Sequence, residues 1–210
     1  MLAIGRPDEA LACFERAIEI NGRSEKGWSN KGVALKNLGK TEEAIACYDR
    51  ALKINPRYAN AWINKGVALK TLGRPEEALT CYDRALTLNQ KDENGWTNKG
   101  NILYTLKRTS EAIECYERAL ALNPKLDRTW MNKGIALNDL GKHDEALNSY
   151  GKAIEFNPHL DQAWFLRGLT LMNVFHRYQE AIPYLQEAER LGSKEASQML
   201  AMYQNAIAKS

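Results

Sequence analysis

The hydrophobic pattern of this chain changes direction at regular intervals. In residues 25–58, Trp28, Gly32 and Leu35 fall at i, i+4 and i+7, one face of a helix. Gly39-Lys40-Thr41 interrupts that face, and Thr41, followed by Glu42 and Glu43, reads as the N-cap of a second helix. Its apolar face is Ala44, Ile45, Tyr48, Ala51 and Leu52, and Asn55-Pro56 ends it. Equivalent second helices begin at Pro7, Pro75 and Thr109, and equivalent ends are Asn123-Pro124 and Asn157-Pro158. Each segment therefore predicts two antiparallel helices, with Gly32 and Ala44 small enough for a close approach. One such hairpin cannot bury both its faces, so the pattern demands stacking.

The pattern repeats. Trp28, Trp62, Trp96, Trp130 and Trp164 recur at intervals of 34 residues and are all the tryptophans in the chain. The string NKGVALK occurs at Asn30–Lys36 and again at Asn64–Lys70. Cys47-Tyr48, Cys81-Tyr82 and Cys115-Tyr116 keep the same interval, with Cys13-Phe14 before them. A period of this length marks a repeat architecture.

The residues of one period, Trp28, Gly32, Leu35, Ala44, Tyr48, Ala51 and Pro56, resemble the tetratricopeptide repeat at its signature positions 4, 8, 11, 20, 24, 27 and 32. The resemblance covers nearly the whole chain. It implies an all-α, right-handed superhelical solenoid of about 12 helices. The expected organisation is the second helix of a truncated repeat over 1–24, then full repeats at 25–58, 59–92, 93–126 and 127–160. A degenerate repeat follows at 161–195, and a capping helix at 196–210. In the truncated repeat, Ala10, Phe14 and Ala17 fit the second-helix positions, and the chain reads as a piece of a longer array. In the degenerate repeat, one residue is inserted near Asn173–Arg177, Leu185 replaces the aromatic, and Pro183 predicts a kink or a late start. The final helix is expected to turn Met199, Met202, Tyr203 and Ala206 inward. One departure from the family is systematic. Position 7, usually Leu, is Lys31, Lys65, Lys99, Lys133 and Arg167, whose stems are expected to pack while their charges reach water.

Composition narrows the functional classes. The 29 basic and 26 acidic residues nearly balance, which argues against a nucleic-acid surface. No apolar run is long enough for a bilayer, and Met1–Pro7 lacks the blocks of a signal peptide, so a cytoplasmic location and no membrane partner are expected. Cys13, Cys47, Cys81 and Cys115 lie one per repeat. Stacked hairpins about 10 Å apart keep them beyond disulfide reach, and the spacing offers no metal site. Gly39-Lys40-Thr41 imitates the tail of a phosphate loop, but Ala34 stands where that loop needs Gly, and no strand precedes it. His143, His159 and His176 have no partnered nucleophile, and the pairs Glu42–Glu43, Glu76–Glu77 and Asp144–Glu145 suit helix starts. No enzyme activity, cofactor or metal is expected.

In proteins with similar repeats, the outer stripe of each first helix lines a binding groove. Its positions here are Asn30, Asn64, Asn98 and Asn132 in one row, and Lys26, Asn60, Asn94 and Arg128 in a second. Ile63, Thr97, Met131 and Phe165 form a third row after Ser29, and Val33, Val67, Asn101 and Ile135 a fourth; Tyr104 and Met172 lie further along. A row of amides can donate to and accept from the backbone of an extended peptide. The superhelical repeats of enzymes that transfer sugar to Ser and Thr carry a similar row. An Asn row could equally bond within its own scaffold. The family's carboxylate clamp for chaperone tails does not fit, since Thr97, Gln162 and Leu166 stand where it uses Lys, Lys and Arg. Three readings follow: a scaffold for an extended peptide or partner segment, an interaction module of a larger enzyme, and a nucleic-acid-binding helical repeat, which the Trp and Asn-Pro positions disfavour. Leu11, Phe14 and Ile18 on the first helix are expected to be exposed and to promote self-association.

Overall fold

A computed structural model describes residues 7–207, with side chains from Leu11 to Asn205. Expectations at Met1–Arg6, Ala10 and Ala206 fall outside those residues or side chains. The regular structure among the described residues is helical: α1 (Pro7–Ile20), α2 (Glu25–Asn37), α3 (Thr41–Ile54), α4 (Ala59–Thr71), α5 (Pro75–Leu88), α6 (Glu93–Thr105), α7 (Thr109–Leu122), α8 (Asp127–Asp139), α9 (His143–Phe156), α10 (Asp161–Asn173), α11 (Tyr178–Arg190) and α12 (Lys194–Ile207). They form two compact units, Met1–Arg108 and Thr109–Ser210, each a stack of hairpins around its own core.

The hairpin turn is built by the backbone. Gly39 takes a φ of +79°, a left-handed conformation that glycine adopts without strain. That lets the Lys40 N–H donate back to the Leu35 carbonyl at 2.9 Å, closing α2. Gly73 and Gly141 repeat the device, and Lys107 and His176 adopt the same positive φ without being glycine. Thr41 is not the N-cap. Lys40 holds that place with no side-chain bond, because it also closes the glycine turn, and Thr41 is the buried first residue of α3. Side-chain caps occur instead at Ser24 and Asp92, which accept from Gly27 and Gly95.

Within a hairpin, an aromatic ring lies on a glycine. A Cβ on Gly32 would stand 2.5 Å from Tyr48 Cε1, and one on Gly134 would meet Tyr150 at the same distance. The tyrosines are fully buried, as are Ala44, Ala78 and Ala146 beside them.

Repeats are joined by a bond that does not depend on side-chain identity. Each indole N–H donates to the carbonyl six residues before it: Trp28 to Gly22, Trp62 to Pro56, Trp96 to Gln90, Trp130 to Pro124 and Trp164 to Pro158, at 2.8–3.0 Å. The position-7 lysines do not simply reach water. Lys65 meets Asp49 and Lys99 meets Asp83 at 2.6 Å, Lys133 meets Glu117 at 2.8 Å and Lys31 meets Glu15 at 3.0 Å. Each ammonium also lies 5.6–5.9 Å from the centre of its own repeat's Trp ring. The packing that brings the stem inward delivers the charge to the preceding second helix.

The terminal helices differ from expectation in detail. Leu11, Phe14 and Ile18 are half-buried, because α1 turns that face onto α2; Cys13, Ala17 and Ile20 are the exposed ones. The α10–α11 turn is one residue longer than its predecessors, so the Arg177 N–H reaches back to Leu171. Helix α11 then runs through Pro183. In α12 the inward face is Ala196, Met199, Leu200 and Tyr203; Met202 is 72% exposed and is not part of it.

Candidate functional site

The outer stripe of the first helices can be followed within each unit. In the first unit, α2 approaches α4 and α4 approaches α6, so Asn30, Asn64 and Asn98 occupy one row on neighbouring helices. Asn30 is exposed and the other two are half-buried. Among the described residues, none of these three amides has a hydrogen-bond partner. Lys26, Asn60 and Asn94 beside them are exposed. The apolar members are less available. Val33, Ile63 and Val67 pack against the first-unit core, and Ile63 also lies against Gly95 at the start of α6. Thr97 is half-buried and its hydroxyl donates to the Glu93 carbonyl. Asn101 and Tyr104 are half-buried and already engaged.

In the second unit, Arg128 is exposed, Asn132 is half-buried and engaged, and Ile135 packs against the core. Three predicted groove residues are in fact interior. Met131 and Met172 are each 7% exposed, and Ser29 in the first unit is 1% exposed. The third row leans toward the adjacent hairpin, so a side chain there is drawn into the packing.

Phe165 remains half-buried and borders a cavity of about 240 Å³ in the second unit, with Asp161, Gln162, Leu166, Ser193 and Glu195. The sequence pattern marks Gln162, Phe165 and Leu166 as outer-stripe residues. It misses Asp161, Ser193 and Glu195, which stand at the starts of α10 and α12. A second cavity of about 420 Å³ lies by the α10–α11 turn, where Tyr178 stacks on Tyr203 at 5.8 Å.

Residues with catalytic potential have structural settings. Cys47, Cys81 and Cys115 are buried and unbridged. Burial pushes the Cys47 thiol up and the Cys81 thiol to about 11. His143 Nδ1 lies 2.8 Å from Asn138 Oδ1, and Lys40 belongs to a hairpin turn. Among the described residues, no cluster of His, Cys, Asp and Glu could hold a metal ion, and no helix is long and apolar enough to cross a membrane.

Known proteins place this architecture. The tetratricopeptide repeat matches residues 25–58, 59–92, 94–126 and 128–160, and a second form of the same repeat matches 2–23. Among solved structures, YrrB, described as a tetratricopeptide protein with an unusual peptide-binding site, is 25% identical with a TM-score of 0.74, covering 94% of this chain and all of its own. PilF of Pseudomonas aeruginosa is 21% identical with a TM-score of 0.74, over 96% of this chain and 89% of its own. MamA of Desulfovibrio magneticus RS-1 is 20% identical with a TM-score of 0.73, over 80% and 94%. No curated protein matches. With most of its length accounted for by repeat matches, and with the helical hairpins those repeats require, the chain belongs to the tetratricopeptide repeat family.

Proposed function

We propose that this chain is a protein-interaction scaffold whose first helices bind an extended segment of a partner protein. The observation that carries this reading is the row Asn30, Asn64 and Asn98. Three amides in the same register on neighbouring helices have no partner among the described residues, and each offers both a donor and an acceptor. They suit a peptide backbone, whose N–H and C=O groups need partners whatever the side chains. The peptide-binding description of YrrB, the most identical of the three structures above, supports the same class of ligand.

Retention of peptides from a degenerate dodecamer library tests this. Asn30→Ala, Asn64→Ala and Asn98→Ala together are expected to weaken retention about ten-fold, from the loss of several modest hydrogen bonds. Unchanged retention would exclude the amide row as the binding element.

A second contact surface is supported at α1. Ala17 is exposed, whereas its counterparts Ala51, Ala119 and Ala153 are fully buried; Cys13 is exposed, whereas Cys47, Cys81 and Cys115 are buried. A second copy of the chain would cover that face. Sedimentation velocity is expected to show concentration-dependent association that Ala17→Glu abolishes; a monomer at every concentration would remove this surface.

A further inference from the structure

We propose that the cavity between α10 and the start of α12 receives a basic side chain, Lys or Arg, from the bound segment. The inference rests on the reading that first-helix faces bind extended peptides, and it gives that peptide a chemical requirement.

The cavity lies within the second unit and has two kinds of wall. Phe165 and Leu166 are half-buried and apolar, while Asp161 and Glu195 supply carboxylates. Most acids at the joints between helices already face a cation, as Asp49, Asp83 and Glu117 do. Asp161 has no such partner among the described residues, and Glu195 meets only the hydroxyl of Ser193, at 3.2 Å. The equivalent first residue of α8, Asp127, is instead engaged by Asn157.

Helix starts favour acids, so the dipoles must be counted. Each N-terminus contributes roughly half a positive charge. Two carboxylates against two helix starts leave roughly one negative charge at the cavity mouth. A long cationic side chain matches both walls at once. Its methylene stem covers Phe165 and Leu166, and its charge reaches the carboxylates. A purely aliphatic side chain satisfies only the apolar wall, and an acidic one satisfies neither. The earlier repeats lack this combination, because Asn30, Asn64, Asn98 and Asn132 stand where Leu166 does. The chain's formal net charge of +3 would repel basic ligands in bulk, so a preference for them must arise locally.

The test uses the full chain and the same dodecamer library. The wild type is expected to enrich Lys and Arg at one library position about five-fold, as one partly shielded ion pair supplies. Asp161→Asn with Glu195→Gln should abolish that enrichment while leaving preferences at other positions intact. Both changes keep shape and hydrogen-bonding capacity, and an unchanged circular dichroism spectrum confirms the fold. Peptide retention without basic enrichment, or enrichment that survives the double variant, overturns the basic pocket and leaves the scaffold reading standing. A separate titration with arginine methylamide, followed by nuclear magnetic resonance, reports on the pocket alone. Saturable shifts at Phe165 and Ser193 that vanish in the double variant are expected even if the library is not retained. Absence of those shifts in the wild type counts against the pocket, and absence of all peptide retention counts against the scaffold reading.

Discussion

At Lys65 the ammonium lies 2.6 Å from Asp49 and beside the Trp62 ring. At Arg167, the equivalent residue of the repeat at 161–195, no carboxylate among the described residues meets the cation. Gly151 stands where the other repeats have Asp or Glu, and the guanidinium fills the space a side chain there would need. It donates to the Leu147 carbonyl at 3.3 Å and stacks on Tyr184 at 4.9 Å. The hairpin of this repeat also differs, with Leu185 on Gly168 in place of a tyrosine. The regular joints are thus ionic and their hairpins close on a tyrosine ring. The last joint is dispersive and its hairpin closes on a leucine. Arg suits that setting because its planar cation is weakly hydrated and stacks well. Position 7 requires a long stem that ends in a cation, and the partner of that cation is negotiable.

The sharpest way to break the comparison is at the glycines. Gly134→Ala places a Cβ 2.5 Å from a buried tyrosine ring and is expected to destabilise by about 2 kcal/mol, after a helix-propensity gain of about 1. Gly168→Ala meets buried Leu185 at 2.9 Å and the Ala181 carbonyl at 3.3 Å; a leucine can change rotamer where a ring cannot, so a smaller cost, about 1 kcal/mol, is expected. Equal costs in urea denaturation would show that the two hairpins are not mechanically different. The indole bond is common to both kinds of joint. Trp130→Phe and Trp164→Phe should therefore lose similar stability, about 1 kcal/mol each, and a large asymmetry would mean that the joints differ beyond their charges.

Salt separates the joints more finely. Lys133→Met removes an ion pair whose partner is solvent-facing, so its cost, about 0.5 kcal/mol, should shrink in 1 M salt. Arg167→Lys should cost a similar amount with no salt dependence, since stacking rather than pairing is lost. Salt-sensitive loss at Arg167 would contradict the dispersive description. The smallest effects concern thiols. Near neutral pH only Cys13 should label rapidly, because Cys47, Cys81 and Cys115 are buried. The Cys81 thiol is raised from 9.0 to about 11. The folded state holds that proton more tightly than the unfolded state, so the contribution is intact below about pH 9 and is lost as pH rises towards 11. Rapid labelling of Cys81 at neutral pH would show that the hairpins open readily.

Much of this architecture is legible in the sequence because burial is periodic. Trp62, Gly66, Ala78 and Tyr82 announce their contacts by type and interval. The acceptors of the indole bonds do not, since a backbone carbonyl is the same at Gly22, Pro56 and Gln90. The ion pairs occupy a middle ground. An acid stands 16 residues before each position-7 lysine, and Gly151 stands 16 before Arg167, so covariation within the chain carries the signal. The N-cap at Thr41 fails because two motifs overlap, and Lys40 cannot both close the glycine turn and leave the cap to its neighbour. The row of Asn30, Asn64 and Asn98 is visible as a periodicity, but its lack of protein partners depends on distances. The pocket at Asp161 and Glu195 is invisible because residues from the starts of two helices, α10 and α12, meet there only in the fold.

The 16-residue offset between acid and lysine has a consequence at the level of the gene. Excision of residues 59–92 would set Lys99 in the same register to Asp49 that Lys65 holds now. Recombination between regular repeats therefore preserves the joint chemistry, and the number of repeats can drift without compensating mutation. The Gly151–Arg167 junction has no such freedom. An arginine moved behind Asp83 would lose its space, and a lysine moved behind Gly151 would lose its counter-ion, so this junction stays fixed while the number of regular repeats evolves.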